Sequence, residues 1–287
     1  MHALDTIVFE TPLVRVARFR CDARDPRFRD SGPAGNCAIV FPRTAVWIRY
    51  SGSKPFVADP SLATIYSPGQ EYTREVISTE GDRCEWFGVA PEVAVEIAAL
   101  HDPKALDHHE RPFRAGTAPI DHSLYLAQRT FFTRLECKPP NVMEAEETII
   151  AIVSQVVARA NGFSVADADS ESHRDLTERA KASLSRNLCE HHRLSDLAAE
   201  LGVSAFHLCR VFRSQTGRTL HGFKTELRLR RALEYLSEPS IELSRIAYDC
   251  GFSSHSHFTA AMRTKFGRPP SELRTALRRP SRLDLIS

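Results

Sequence analysis

Histidine is the commonest protein ligand of divalent metals, and the stretch RIAYDCGFSSHSHFTAAMRTKFG, residues 245–267, carries His255 and His257 one residue apart. The pattern around them is helical, and on a helix residues two positions apart diverge by about 200°. The two imidazoles therefore cannot both face one ion. What remains to them is hydrogen bonding, and its target depends on the element that carries them.

That element occurs twice. The earlier stretch LAAELGVSAFHLCRVFRSQTG, residues 197–217, lies over it with Ala198 on Ala247, Gly202 on Gly251, Leu208 on Phe258, Phe212 on Met262 and Gly217 on Gly267. In the first copy Leu197, Ala198 and Leu201 give a short helix its apolar face and Gly202 ends it. Ser204 then caps a second helix that buries Leu208, Val211 and Phe212. The second copy repeats the plan with Ile246, Ala247 and Gly251, a cap at Ser253 or Ser254, and Phe258 and Met262 turned inward. A short helix, a glycine turn and a capped helix make a helix-turn-helix.

A capped helix held on such a support can enter the major groove of DNA, about 12 Å wide, and present side chains to base edges. The candidate contacts are Ser204, Ala205, Phe206, Cys209, Arg210 and Arg213 in the first unit, over 194–215. In the second unit, over 243–265, they are Ser254, His255, Ser256, Thr259 and Arg263.

With these motifs in place, residues 175–280 resemble the DNA-binding domain of the AraC/XylS family of transcription regulators. The resemblance rests on the joining segment TLHGFKTELRLRRALEYL, 219–236, and on the closing GFSSHSHFTAAMRTKFGRPPSELR, 251–274, with its Gly-Phe turn and Gly-x-x-Pro. It implies double-stranded promoter DNA as partner, RNA polymerase beside it, and a homodimer. It also places His255 among the base readers, while His257, next to the buried Phe258, is expected to support the fold or touch the DNA backbone. The chain departs from the family at Cys209 and Ala260, where relatives often carry longer polar readers, so Arg210, His255 and Thr259 are expected to carry most of the direct readout.

The charge distribution points the same way. Over 175–280 there are 18 Lys and Arg against 11 Asp and Glu, whereas the rest of the chain has 20 against 25. The basic half is the half with the repeat, which favours a nucleic-acid partner there. At 287 residues, 42% apolar and 26% charged, the chain has the composition of about two folded domains. Its first residues, MHALDTIVFETPLVRV, lack a secretory pattern, so a cytoplasmic location with no membrane segment is expected. Seven scattered cysteines without a Cys-x-x-Cys argue for free thiols and no structural zinc.

From about 10 to 90, the runs CAIVF, AVWIRY, ATIY and CEWFGV, separated by SGPAGN, SGSKP, SPGQ and TEGD, read as strands of an antiparallel β domain. The expected class is α+β: a barrel-like domain with helices, followed by an all-α double helix-turn-helix domain. Residues 1–115 resemble the cupin-like sensory domain that the family often carries. A metal-dependent cupin enzyme is excluded, because His2 is the only histidine before residue 101. No cofactor is expected, and His101, His108, His109 and His122 are assigned to loops. No nucleophile with an activating neighbour appears, such as a Pro-Cys-His, so the chain does not read as an enzyme.

Two sensing chemistries fit this half. An aromatic-lined interior drawn from Trp47, Tyr66, Tyr72, Trp86 and Phe87 would hold a small organic effector. Alternatively, Cys21, Cys37 and Cys84 would form a thiol sensor. The effector is favoured. Helical spacing continues through EVAVEIAAL and SLYLAQRTFFTRL, and 141–160 places Ile149, Val153, Val156 and Ala160 on one face. Residues 116–160 are assigned as a helical dimerisation segment, and the small, polar stretch 161–174 as a flexible linker.

Overall fold

The computed structural model describes residues 4–278, apart from 31, 108–109, 114–115, 138–139, 163–170, 191–192 and 239. The chain divides into two units, one comprising residues 1–163 together with 276–287 and the other 164–275.

The N-terminal unit is the expected antiparallel β domain. Its strands are β1 (Asp5–Glu10), β2 (Val14–Cys21), β3 (Cys37–Pro42), β4 (Val46–Tyr50), β5 (Phe56–Ala58), β6 (Leu62–Tyr66), β7 (Tyr72–Val76), β8 (Asp82–Val89) and β9 (Thr117–Pro119). They form a six-stranded sheet in the order β1-β2-β8-β3-β6-β9 and a three-stranded sheet in the order β5-β4-β7. The two sheets face one another across a shared core that includes Phe19, Val46, Ile48, Phe56, Tyr66 and Cys84. Helices α1 (Pro91–Ala99), α2 (His122–Cys137) and α3 (Val142–Gly162) complete the unit, with a 3-10 turn at Pro103–Asp107.

Strand alternation decides which aromatic faces where. Along β4, Val46, Ile48 and Tyr50 are buried while Trp47 and Arg49 point the other way. Trp47 is therefore not a residue of the interior, contrary to expectation. Phe87 of β8 also faces away from that interior, its ring against Phe41 at 5.5 Å and Phe131 of α2 at 6.3 Å. The same face carries a buried charge cluster in which Glu85 accepts from Arg129 at 2.7 Å and Gln128 at 2.8 Å and pairs with Arg43. Burial opposes ionisation of Glu85, but Arg43 and Arg129 overcome it and hold its carboxyl below the usual range.

The expectation for 116–160 is corrected on two counts. The segment opens with β9, which pairs with β6 through Thr64↔Thr117, so it is not helical throughout. The apolar face of α3 is also closed within its own unit, with Ile149, Val153 and Val156 all 0% exposed. Side chains already packed against the domain's own sheet and helices cannot form the seam of a dimer. Of the stretch assigned as a linker, Asn161 and Gly162 end α3 and Glu171–Arg174 open the next helix, while 163–170 lie outside the described residues.

The C-terminal unit is all helical: α4 (Glu171–Arg186), α5 (Leu194–Glu200), α6 (Ala205–Thr216), α7 (Leu220–Leu236), α8 (Leu243–Asp249), α9 (His255–Phe266) and α10 (Pro270–Arg278). Leu176, Leu184, Leu197, Leu208, Phe212 and Phe223 form one core from α4 to α7. Around the second unit Ile246, Phe252, Phe258, Met262 and Leu273 are buried.

Candidate nucleic-acid interface

The repeated sequence folds into two near-identical local structures. Gly202 and Gly251 both sit in the left-handed region, at φ +71° and +78°. Just beyond each, a backbone amide returns to the first helix at 3.0 Å, Val203 to Ala198 and Phe252 to Ala247. Ser204 caps α6 by accepting from the His207 amide at 3.1 Å, and Ser254 caps α9 by accepting from the His257 amide at 3.1 Å. Of the two serines open at the second cap, the structure selects Ser254. Both second helices end on a left-handed glycine, Gly217 and Gly267.

The exposed face of α6 is a single stripe. Phe206, Cys209, Arg210 and Arg213 follow the i, i+3, i+4, i+7 spacing and all are exposed, Phe206 to 79%. Ala205 is half-buried at the first turn. The matching stripe of α9 runs Ser256, Thr259, Ala260, Arg263, with Ser256, Ala260 and Arg263 exposed and His255 exposed beside them. Thr259 departs from expectation: it is half-buried, and its Oγ1 has neither solvent nor a hydrogen-bond partner. The packing of α9 turns that hydroxyl inward, so it is not offered to a base. His257 is exposed, with Nδ1 3.3 Å from Ser253 Oγ and its ring edge-on to Phe252 at 5.4 Å.

The basic surplus of this unit is partly internal. Arg230 is fully buried against Glu226 of the same helix at 2.5 Å, and Glu226 also takes Arg218 at 2.8 Å. Lys224 donates to the Glu190 carbonyl at 2.7 Å, and Arg228 donates to the carbonyls of Leu188 at 2.8 Å and Glu190 at 3.0 Å. These cations hold α7 to the turn after α4. Burial, with Arg228 nearby, lowers the Lys224 ammonium to about 8. By contrast, Arg210, Arg213, Arg263 and Lys265 are exposed and form no ion pair among the described residues. The sequence reading passed over Tyr248 of α8, which is 76% exposed. Its place opposite Ile246 and Ala247 on a short amphipathic helix was the available signal.

Two capped helices on matching supports, joined by a 17-residue helix, define a double helix-turn-helix module. A helix-turn-helix domain family model matches residues 197–276. Over 107 residues the chain is 36% identical to the HTH-type transcriptional regulator ArgR of Pseudomonas aeruginosa, a match that covers 37% of this chain and 32% of that one. Over 79 residues it is 35% identical to the HTH-type transcriptional activator RhaS of Mannheimia succiniciproducens, covering 28% and 30%. A solved structure of a Chromobacterium violaceum regulator with an AraC-type DNA-binding domain is 30% identical, covers 39% of this chain and all of that one, and superposes with a TM-score of 0.36. Residues 197–276 of this chain thus carry a helix-turn-helix domain similar to those of these transcriptional regulators. The chain spans about a third of the length of these curated relatives, 32 and 30%.

Proposed function

We propose that this chain is a transcription regulator that binds double-stranded promoter DNA through its C-terminal unit and answers to a small organic effector in its N-terminal unit. The observation that supports the DNA-binding half most strongly is the pair of capped helices whose exposed stripes carry unpaired arginines. In this reading the exposed Arg210 contacts guanine in bidentate fashion, Phe206 meets a thymine methyl, and His255 offers a ring nitrogen at the first turn of α9. Arg213, Arg263 and Lys265 fit backbone phosphates.

The thiol-sensing alternative is weakened by the setting of its cysteines. Burial pushes the Cys37 thiol up to about 11 and raises those of Cys21 and Cys84, which keeps all three protonated and poorly nucleophilic. Relatives of the C-terminal region are regulators, and we read the chain as a regulator without enzymatic activity. A homodimer, with a seam elsewhere than the α3 face, and action beside RNA polymerase in the cytoplasm belong to the same proposal. None of the described helices is long and apolar enough to cross a membrane.

The test is recovery of genomic fragments by the full-length protein, followed by titration of one recovered site across salt. Affinity should fall steeply as salt rises, because each neutralised phosphate releases counterions. A salt-independent complex, or recovery of random DNA only, would refute the proposal.

A further inference from the structure

Between the two sheets of the N-terminal unit lies a cavity of about 340 Å3. At roughly 30 Å3 for each water displaced, that is room for about ten non-hydrogen atoms. Apolar walls come from Phe19, Val40 and Val46, with aromatic walls from Tyr66, Tyr72 and Trp86. Tyr66 and Tyr72 stand 4.8 Å apart, centroid to centroid, and form one side.

The buried charged groups at this cavity are matched, and the lining carboxylate of Asp5 is exposed. Arg74, 2% exposed, donates Nη1 to Asp82 at 2.5 Å and lies over the Phe19 ring at 4.6 Å. Burial pushes the Asp82 carboxyl up from its ordinary value, but a guanidinium at this distance keeps the pair charged and mutually compensated. At the rim Arg15 is paired with Glu10, and Asp5 accepts from Trp86 Nε1 at 2.7 Å. No surplus cation therefore waits for a carboxylate or phosphate. Arg74 also directs Nη2 to the Arg27 carbonyl at 3.3 Å.

We infer that the effector is an uncharged, ring-sized and mainly apolar compound seated between Tyr66, Tyr72 and Trp86. This rests on the reading of the N-terminal unit as a sensor. An ion seated among these rings would lose its hydration without gaining a counter-charge, because the buried Arg74 and Asp82 already neutralise one another, whereas an uncharged apolar compound loses little. The class excludes organic acids, phosphate esters and amines.

The chain has two tryptophans, and only Trp86 lines the cavity, so Trp47→Phe leaves a single reporter in the site. Phenethyl alcohol, phenylacetate and phenethylammonium are matched probes of one size and three charges. They should be titrated against the full chain by calorimetry, and against Trp47→Phe by Trp86 emission. The alcohol should bind and shift the emission, with both ions weaker by about tenfold or more, about 1.4 kcal/mol. In Asp82→Asn, Arg74 loses its counter-charge, and the ranking should move at least about tenfold toward phenylacetate. An ion binding the unmodified chain as tightly as the alcohol would overturn the ligand class and leave the sensor reading standing. An unchanged ranking in Asp82→Asn would overturn the role of the ion pair. If no probe perturbs Trp86, the sensor reading falls with the ligand class.

Discussion

Gly202 and Gly251 occupy the same place in the two helix-turn-helix units with nearly the same φ, +71° and +78°, yet their surroundings differ. A Cβ on Gly202 would meet nothing within 4 Å, whereas one on Gly251 would lie 2.6 Å from the Cys189 carbonyl oxygen and 2.8 Å from an Arg228 guanidinium nitrogen. The guanidinium can move, but the carbonyl belongs to the backbone of the turn that Arg228 and Lys224 hold in place. Gly202→Ala therefore carries only the left-handed penalty, about 1–2 kcal/mol. Gly251→Ala carries the same penalty plus about 1–3 kcal/mol for displacing the turn. Native-state hydrogen exchange on full-length variants, read on peptides from α5–α6 and from α8–α9, separates the two. The local opening energy of the second unit should drop by more than that of the first. Gly202→Asn should recover part of the loss, since asparagine tolerates this region. Equal losses at the two glycines would refute the claim that Gly251 is fixed by close approach rather than by φ alone.

Arg210→Ala and His255→Ala should each narrow the gap between the specific site and random DNA by about 1–3 kcal/mol in competition binding, if they contact base edges. Equal losses on both DNAs would assign them to the backbone. Arg228→Ala should instead destabilise the C-terminal unit, with DNA affinity falling only in proportion to the unfolded fraction. Replacing single thymines by deoxyuridine removes only the methyl group, and one position should lose affinity to the native chain but not to Phe206→Ala. Val153→Glu with Val156→Glu should unfold the N-terminal unit, seen as red-shifted tryptophan emission, because both side chains are 0% exposed within their own domain. A folded monomer with native emission would restore α3 as the dimer seam.

The helix-turn-helix units were legible because their rules are local: a glycine at each turn, a serine at each cap, and a helical period of buried residues. Strands β3, β4, β6 and β8 were legible as short apolar runs between turn signals. Strand β2 was not, since VRVARFRC sets arginines at 15, 18 and 20 and breaks the run, and its partner β8 supplies the pairing that fixes it. The three residues of β9 have no pattern of their own and are recruited by β6. Trp47 was misplaced although the alternation of Val46, Ile48 and Tyr50 already turned it outward. The role of α3 could not be decided from its period, because an apolar stripe looks the same whether it meets its own sheet or a second copy. The charge excess gave the right half of the chain but overstated its surface share, since the partners of Arg218, Lys224, Arg228 and Arg230 are contacts formed only on folding.

The central claim is that one chain reads DNA with two different helices, held apart by α7, whose 17 residues span about 26 Å at 1.5 Å each. That length suits two major grooves about one turn apart on one face of the duplex. The direct measurement is a hydroxyl-radical footprint of the full-length protein on its recovered site, trimmed to the length one protomer covers. It should show two protected patches about 10 base pairs apart without dyad symmetry, and inserting about 5 base pairs between them should abolish tight binding. A single patch per protomer, protected only when two copies meet on a palindrome, would contradict the account.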